Sequence, residues 1–178
     1  MDNIGQSAGK NLDFIWLAGF LDGDGSVCME SHIMKNRMCY SPRITFSNTD
    51  ENIIEEIKRI LKENNIGHYE YTKKTVNAIA HDVSVVGFKR VQKLIPKILP
   101  YIKGRKFLGC YLIGQFLISR HNTGNWKTYT EEEIKMCNTI KELHNPGYPQ
   151  RLYAERRNKI TDEDIVRTAQ KCAEFSAS

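Results

Sequence analysis

The stretch Trp16-Leu17-Ala18-Gly19-Phe20-Leu21-Asp22-Gly23-Asp24-Gly25 decides how the rest of this chain is read. An apolar run with helical spacing ends in two carboxylates set between glycines. Apolar surroundings exclude unpaired charge, because a buried carboxylate without a partner carries a large desolvation penalty. Small residues at Ala18, Gly19 and Gly23 permit close packing. The pattern describes a helix that delivers acid to a crowded spot, and it occurs once in 178 residues.

Around it, the bulk properties are those of a globular domain. Hydrophobic residues make up 40% and charged residues 26%. No run approaches the ~20 apolar residues of a membrane span. The start, MDNIGQSAGK, has no apolar signal core, so an intracellular protein without a membrane partner is expected. Five scattered cysteines (Cys28, Cys39, Cys110, Cys137, Cys172) form no CxxC pair and read as reduced thiols. The net charge of +5 suits a nucleic-acid partner without requiring one. Basic residues gather at Lys97, Lys103, Arg105 and Lys106, and again at Arg151, Arg156, Arg157 and Lys159. The second group suits flanking phosphates or a solvated surface equally well.

Reading outward from the motif, residues 1–10 are polar and expected to be loose. A helix spans Asp13 to Leu21, with Asp13 as its N-cap, and stops near Gly23 or Gly25. Ser26 to Met34 alternates as a half-exposed strand, with Val27, Met29 and Ile33 on one side. Lys35-Asn36-Arg37 makes a basic hairpin turn, and Met38 to Asn48 returns with Tyr40, Ile44 and Phe46 inward. A helix follows to about Asn64, on the stripe Ile53, Ile54, Ile57, Ile60 and Leu61. Strands His68–Lys73 and Ala78–Val86 flank a turn near Lys74–Asn77. Next come a helix over Phe88–Leu99 interrupted by Pro96, an apolar helix over Phe107–Ser119, and a loop over His121–Lys127. Thr130-x-x-Glu133 and Thr161-x-x-Asp164 cap two further helices, separated by the turn-rich Asn145-Pro-Gly-Tyr-Pro.

The order is αββαββα plus C-terminal helices, an α+β fold with an antiparallel sheet and helices on one face. It forms one domain over 11–178, with a core over 11–120 and a C-terminal helical extension over 128–178. The other sheet face would carry Glu30, His32, Arg43, Thr45 and Ser47. Such a polar, partly basic surface could read nucleic acid, and a merely solvated face has the same alternation.

Three readings of Asp22-Gly23-Asp24-Gly25 compete. A calcium loop begun at Asp22 or Asp24 needs glutamate at its twelfth position, where Ile33 or Lys35 stands instead. A plain helix stop is the second. Catalytic metal binding is the third, and the preceding helix decides for it. Leu17 to Gly25, LAGFLDGDG, resembles the signature of the LAGLIDADG homing endonucleases, with conservative changes at three of nine positions. The resemblance extends over about residues 12–120 through the order of strands and helices.

The resemblance implies a saddle-shaped antiparallel sheet and a sequence-specific double-strand DNA endonuclease of intron homing, leaving short 3′ extensions. It implies Mg²⁺ held by Asp24 and the Gly23 carbonyl, and no organic cofactor. Asp22 would be structural. A single motif supplies half a site, which implies a homodimer joined through Leu17, Ala18, Gly19, Leu21 and Asp22 and a long, pseudo-palindromic duplex. Glu30, His32, Asn36, Arg37, Ser41, Arg43, Thr45 and Ser47, with Glu70 and Thr72 from the second hairpin, would face the major groove. Arg43 is the best guanine reader, since its fork pairs bidentately. Arg105, with Lys103 close by, takes the place of the family's basic residue. Asp50 stands where the family often has glutamine, and either serves the reaction or caps the next helix. The host would be an organelle (chloroplast or mitochondrion) or a prokaryotic cytoplasm. The alternative is a non-cleaving nucleic-acid-binding protein such as an RNA maturase. The remaining histidines, His68, His81, His121 and His144, lack ligand spacing.

Overall fold

A computed structural model of the chain describes residues 3–74, 78–123 and 127–177, with side chains described from residue 11 to residue 176. Helix α1 (Asn3–Asp24) leads into the hairpin β1 (Gly25–Met34) and β2 (Arg37–Asn48). Helix α2 (Glu51–Glu63) precedes the hairpin β3 (Tyr69–Lys74) and β4 (Ile79–Val86). Helices α3 (Phe88–Ile98), α4 (Phe107–Thr123), α5 (Glu131–His144), α6 (Gln150–Arg157) and α7 (Asp162–Ala177) complete the chain. The expected αββαββα order with C-terminal helices is present, and the four strands form one antiparallel sheet in the order β1-β2-β4-β3.

Strand periodicity separates the two sheet faces. Val27 and Met29, Tyr40, Ile44 and Phe46, and Val83 and Val85 are buried on one face. Helices α1 to α5 pack there through Leu17 and Leu21, Ile57 and Leu61, Leu94 and Ile98, Ile113 and Phe116, and Cys137 and Ile140. The β1–β2 hairpin closes at Lys35 and Asn36, whose φ values of 50° and 60° suit the tight turn favoured by strand twist. All five cysteines are free.

Several local expectations are corrected. Asp13 is not an N-cap: α1 begins earlier, at Asn3, and Asp13 instead pairs with Arg59 of α2 at 3.2 Å. Ile33 is 73% exposed, because the hairpin tip projects past the helices that would cover it. Pro96 lies inside α3 rather than breaking it. Proline withholds one N–H from the Gln92 carbonyl, and Ser176 Oγ of α7 lies 3.1 Å from that oxygen. Helix α4 runs on to Thr123, into the stretch expected to be a loop. The turn expected at 74–77 and the remainder of that loop fall largely outside the described residues.

The C-terminal helices are fastened by a buried ion pair. Arg120 Nη1 donates to Glu133 Oε2 at 3.2 Å, with the side chains 1% and 0% exposed. Ser119 Oγ donates to Glu133 Oε1 at 2.7 Å, and Arg120 Nη2 donates to the Lys127 carbonyl at 3.0 Å. Glu133 also closes the expected capping box with Thr130. Breaking such a pair leaves a charge buried without its partner. Arg120→Ala is therefore expected to cost about 3–5 kcal/mol in urea denaturation. The uncharged pair Arg120→Met with Glu133→Gln, which retains the capping box, should cost less than Arg120→Ala alone.

Candidate nucleic-acid interface and reaction centre

The sheet face away from the helices is built by register. Opposite pairs Ser26–Thr45, Cys28–Arg43, Glu30–Ser41, His32–Cys39 and Met34–Arg37 place these residues on one surface. Pairing of Thr45 with Ser84 and Ser47 with Asp82 extends it onto β4, and Tyr69, Tyr71 and Lys73 extend it onto β3. Seven of the expected reading residues thus share one face: Glu30, His32, Arg37, Ser41, Arg43, Thr45 and Ser47. Asn36 stands in the turn at its tip.

Glu70 and Thr72 do not join them. They lie opposite Val83 and His81, on the helix side of β3. Glu70 pairs there with Lys58 of α2 at 2.9 Å. β3, Tyr-Glu-Tyr-Thr-Lys-Lys, is polar on both sides and exposed throughout, so its own sequence contains no phase. Only pairing with β4 sets it, and a shift by one residue exchanges the faces.

The surface is organised at its centre and open toward β1. Thr45 Oγ1 and Ser84 Oγ are 2.8 Å apart and both buried. Ser47 Oγ donates to Asp82 Oδ1 at 2.7 Å, and Lys73 forms an ion pair with the same carboxylate. Burial would raise the Asp82 carboxyl, but the bonds from Lys73 and Ser47 and the Arg43 charge outweigh it and hold it below its ordinary range. Arg43 Nη2 meets Glu30 Oε1 at 3.0 Å, and both side chains remain partly exposed. Sequence reasoning missed Asp82, Ser84, Tyr69, Tyr71 and Lys73. The alternation Ala80-Asp82-Ser84 against His81-Val83-Val85 was the available signal for β4.

The acidic end of α1 meets this surface where β1 begins. A Cβ at Gly25 would stand 2.9 Å from Leu21 Cα and from the Leu21 carbonyl oxygen, so the abrupt helix-to-strand junction requires glycine. Asp22 Oδ2 accepts from Lys103 N at 2.9 Å and from Gly104 N at 2.8 Å. Lys106 Nζ donates to the Asp22 carbonyl at 3.3 Å. Asp22 therefore ties the motif helix to the loop bearing Lys103 and Arg105. Arg105 Nη2 donates to the Tyr148 carbonyl at 3.2 Å. A hollow of about 260 Å³ lies beside the junction, lined by Gly25, Ser26, Arg105, Lys106 and His144 among others.

Asp24 and Gly23 are exposed, and Asp24 has no hydrogen-bond or ion-pair partner among the described residues. A free carboxylate beside helix-terminal carbonyls is a hard-oxygen donor set of the kind Mg²⁺ takes. The described residues contain no group of three or more His, Cys, Asp or Glu placed to hold a metal ion. Asp50 is placed apart from this centre's bonds, as the N-cap of α2: its Oδ1 accepts from Asn52 N at 2.8 Å. Of the expected dimer-contact residues, Leu17, Ala18 and Leu21 are wholly buried in the chain's own core, and Asp22 is bonded to its own loop. Only Gly19 among them is exposed.

The family model described as LAGLIDADG endonuclease matches residues 17–117. No curated protein matches the chain. Among solved structures, the homing endonuclease I-CvuI in complex with the I-CreI target is 20% identical, with a TM-score of 0.62 over 93% of this chain and 97% of that one. The meganuclease I-SmaMI bound to uncleavable DNA is 19% identical, with a TM-score of 0.57 over 75% of this chain and 45% of that one. The homing endonuclease I-LtrWI bound to target DNA is 19% identical, with a TM-score of 0.55 over 75% and 44%. These likenesses show a shared fold. The family match spans more than half of the sequence, and the chain belongs to the LAGLIDADG endonuclease family.

Proposed function

We propose that two copies of this chain form a Mg²⁺-dependent endonuclease that cleaves both strands of a long, pseudo-palindromic DNA site. The observation that carries this reading is the exposed, unpartnered Asp24 at the end of α1, where the polar sheet face begins. Asp24 and the Gly23 carbonyl are the residues to hold the metal. When bound, Mg²⁺ supplies an activated water and neutralises charge on the scissile phosphate. Lys103 and Arg105, held beside the motif by Asp22, offer fixed cations to the charge that develops during attack. Arginine stays protonated throughout, so Arg105 acts by charge rather than as a proton carrier.

Sequence would be read by Glu30, His32, Asn36, Arg37, Ser41, Arg43, Thr45 and Ser47 in the major groove. The Glu30–Arg43 pair aims the guanidinium before DNA arrives. Tyr69, Tyr71, Lys73 and Asp82 replace Glu70 and Thr72 as contributors from the second hairpin. Intron homing in an organelle or a prokaryote is part of the same reading. No helix among the described residues is long and apolar enough to cross a membrane.

Dimerisation is supported by the outer side of α1. Leu12, Ile15 and Trp16 are 65%, 45% and 40% exposed. With Gly19 and Gly23 they recur at three- and four-residue steps, so they form one stripe. A Cβ at either glycine would meet nothing within 4 Å among the described residues. Glycine inside a helix is destabilising by about 1 kcal/mol relative to alanine, so a second backbone lying close accounts for both. The interface is thus assigned to Leu12, Ile15, Trp16, Gly19 and Gly23 rather than to the inward Leu17, Ala18 and Leu21. That the chain matches nearly all of I-CvuI but under half of I-SmaMI supports one unit as half an assembly.

Selection of cleaved duplexes from a random library in Mg²⁺ tests the activity and the symmetry together. Asp24→Asn is expected to lower cleavage of a selected duplex by roughly 10³-fold or more while site binding persists. Full activity of that variant sinks the assignment. Gly19→Leu should keep the monomer as stable as the parent, or up to about 1 kcal/mol more so. In sedimentation it should shift the protein from dimer to monomer, and a dimer unchanged by the substitution removes α1 as the interface.

A further inference from the structure

The loop from Lys103 to Lys106 is gripped from two sides. On one side, Asp22 Oδ2 accepts both the Lys103 and the Gly104 amides. On the other, Tyr153 Oη of α6 donates to the Gly104 carbonyl at 2.8 Å. The Gly104 N–H is therefore held by the motif helix, and its carbonyl is shared between Tyr153 of the C-terminal extension and the Phe107 amide at 3.2 Å. A Cβ at Gly104 would stand 2.8 Å from Asp22 Oδ1 and 2.9 Å from its Cγ, so the loop fits against the carboxylate with no room for a side chain. The extension grips again on either side of Gly104. Arg105 Nη2 donates to the Tyr148 carbonyl, and the Arg157 guanidinium stacks 4.0 Å over the Phe107 ring.

We propose that Tyr153 is a positioning residue of the reaction centre: its hydroxyl, through the Gly104 carbonyl, sets where Lys103 and Arg105 stand relative to Asp24. The extension is then a working part of the site rather than an appendage to the core. This rests on the endonuclease reading above. Burial raises the Tyr153 phenol, so it remains a donor across the neutral range. Hydrogen bonds on the two successive peptide groups that flank the Gly104 Cα restrict rotation of the loop about that residue. Charges on flexible side chains gain their effect on a developing phosphate charge only when the backbone beneath them is fixed.

Tyr153→Phe keeps the ring and removes the bond. On a duplex recovered by the parent protein from a random library, single-turnover cleavage in Mg²⁺ should slow roughly 10-fold, as expected for slightly misplaced groups. The dissociation constant for the same duplex in Ca²⁺ should stay within about twofold, since the reading face is untouched. In an Arg105→Ala background the same substitution should have a much smaller effect, because the group being positioned is gone. Amide exchange read by NMR should accelerate at Gly104 and not along α4. Undiminished cleavage, an equal loss in both backgrounds, or unchanged exchange at Gly104 overturns the proposal. A parent protein that cleaves no duplex overturns the endonuclease reading instead, and Gly104 exchange then decides whether the clamp exists.

Discussion

The carboxylate of Asp22, accepting two successive backbone amides from the loop after α3, is the contact on which the arrangement depends. It joins the end of the motif helix to the segment that bears Lys103 and Arg105, some eighty positions away. A carboxylate suits the task because one oxygen can satisfy two N–H groups at once, and charged acceptors make the stronger bonds. It also resolves the apparent conflict of acid at the end of an apolar helix. Asp22 Oδ2 is partnered by two backbone amides, and Asp24 lies beyond the core in solvent.

Helix α1 has two faces with different tasks. Phe14, Leu17, Ala18 and Leu21 enter the chain's own core, and Leu12, Ile15, Trp16, Gly19 and Gly23 stay outside it. This division changes how the motif's small residues are understood. Ala18 is buried in the chain's own core, whereas a Cβ at either glycine would meet nothing within 4 Å among the described residues. The same economy governs the sheet. Its inward side chains anchor the helices, which leaves the alternate positions to form a connected polar surface with a buried Thr45–Ser84 and Ser47–Asp82 centre.

The C-terminal extension is bound to the core by polar and charged contacts as well as apolar ones. Arg120 and Glu133 tie α4 to α5, Ser176 Oγ lies between the Cys172 carbonyl at 2.7 Å and the Gln92 carbonyl left open by Pro96 at 3.1 Å, and Tyr153 reaches the loop beside the motif. None of these links between elements has a local sequence signature, because the two partners lie on different elements.

The sequence by itself determined the element order, the one-sided hydrophobic pattern and the identity of the motif. These depend on periodicities of two and 3.6 residues and on caps such as Thr130–Glu133, all local properties. It also put Glu30, His32, Arg43, Thr45 and Ser47 on one face, since β1 and β2 alternate clearly. Only the tertiary structure decided the phase of β3, which is polar on both sides and takes its facing from β4, so that Tyr69, Tyr71 and Lys73 join the polar face and Glu70 and Thr72 leave it. Only it decided between inner and outer residues of α1. Each of these turns on which neighbour occupies the space around a side chain, and that is fixed by packing between elements rather than by any spacing within one.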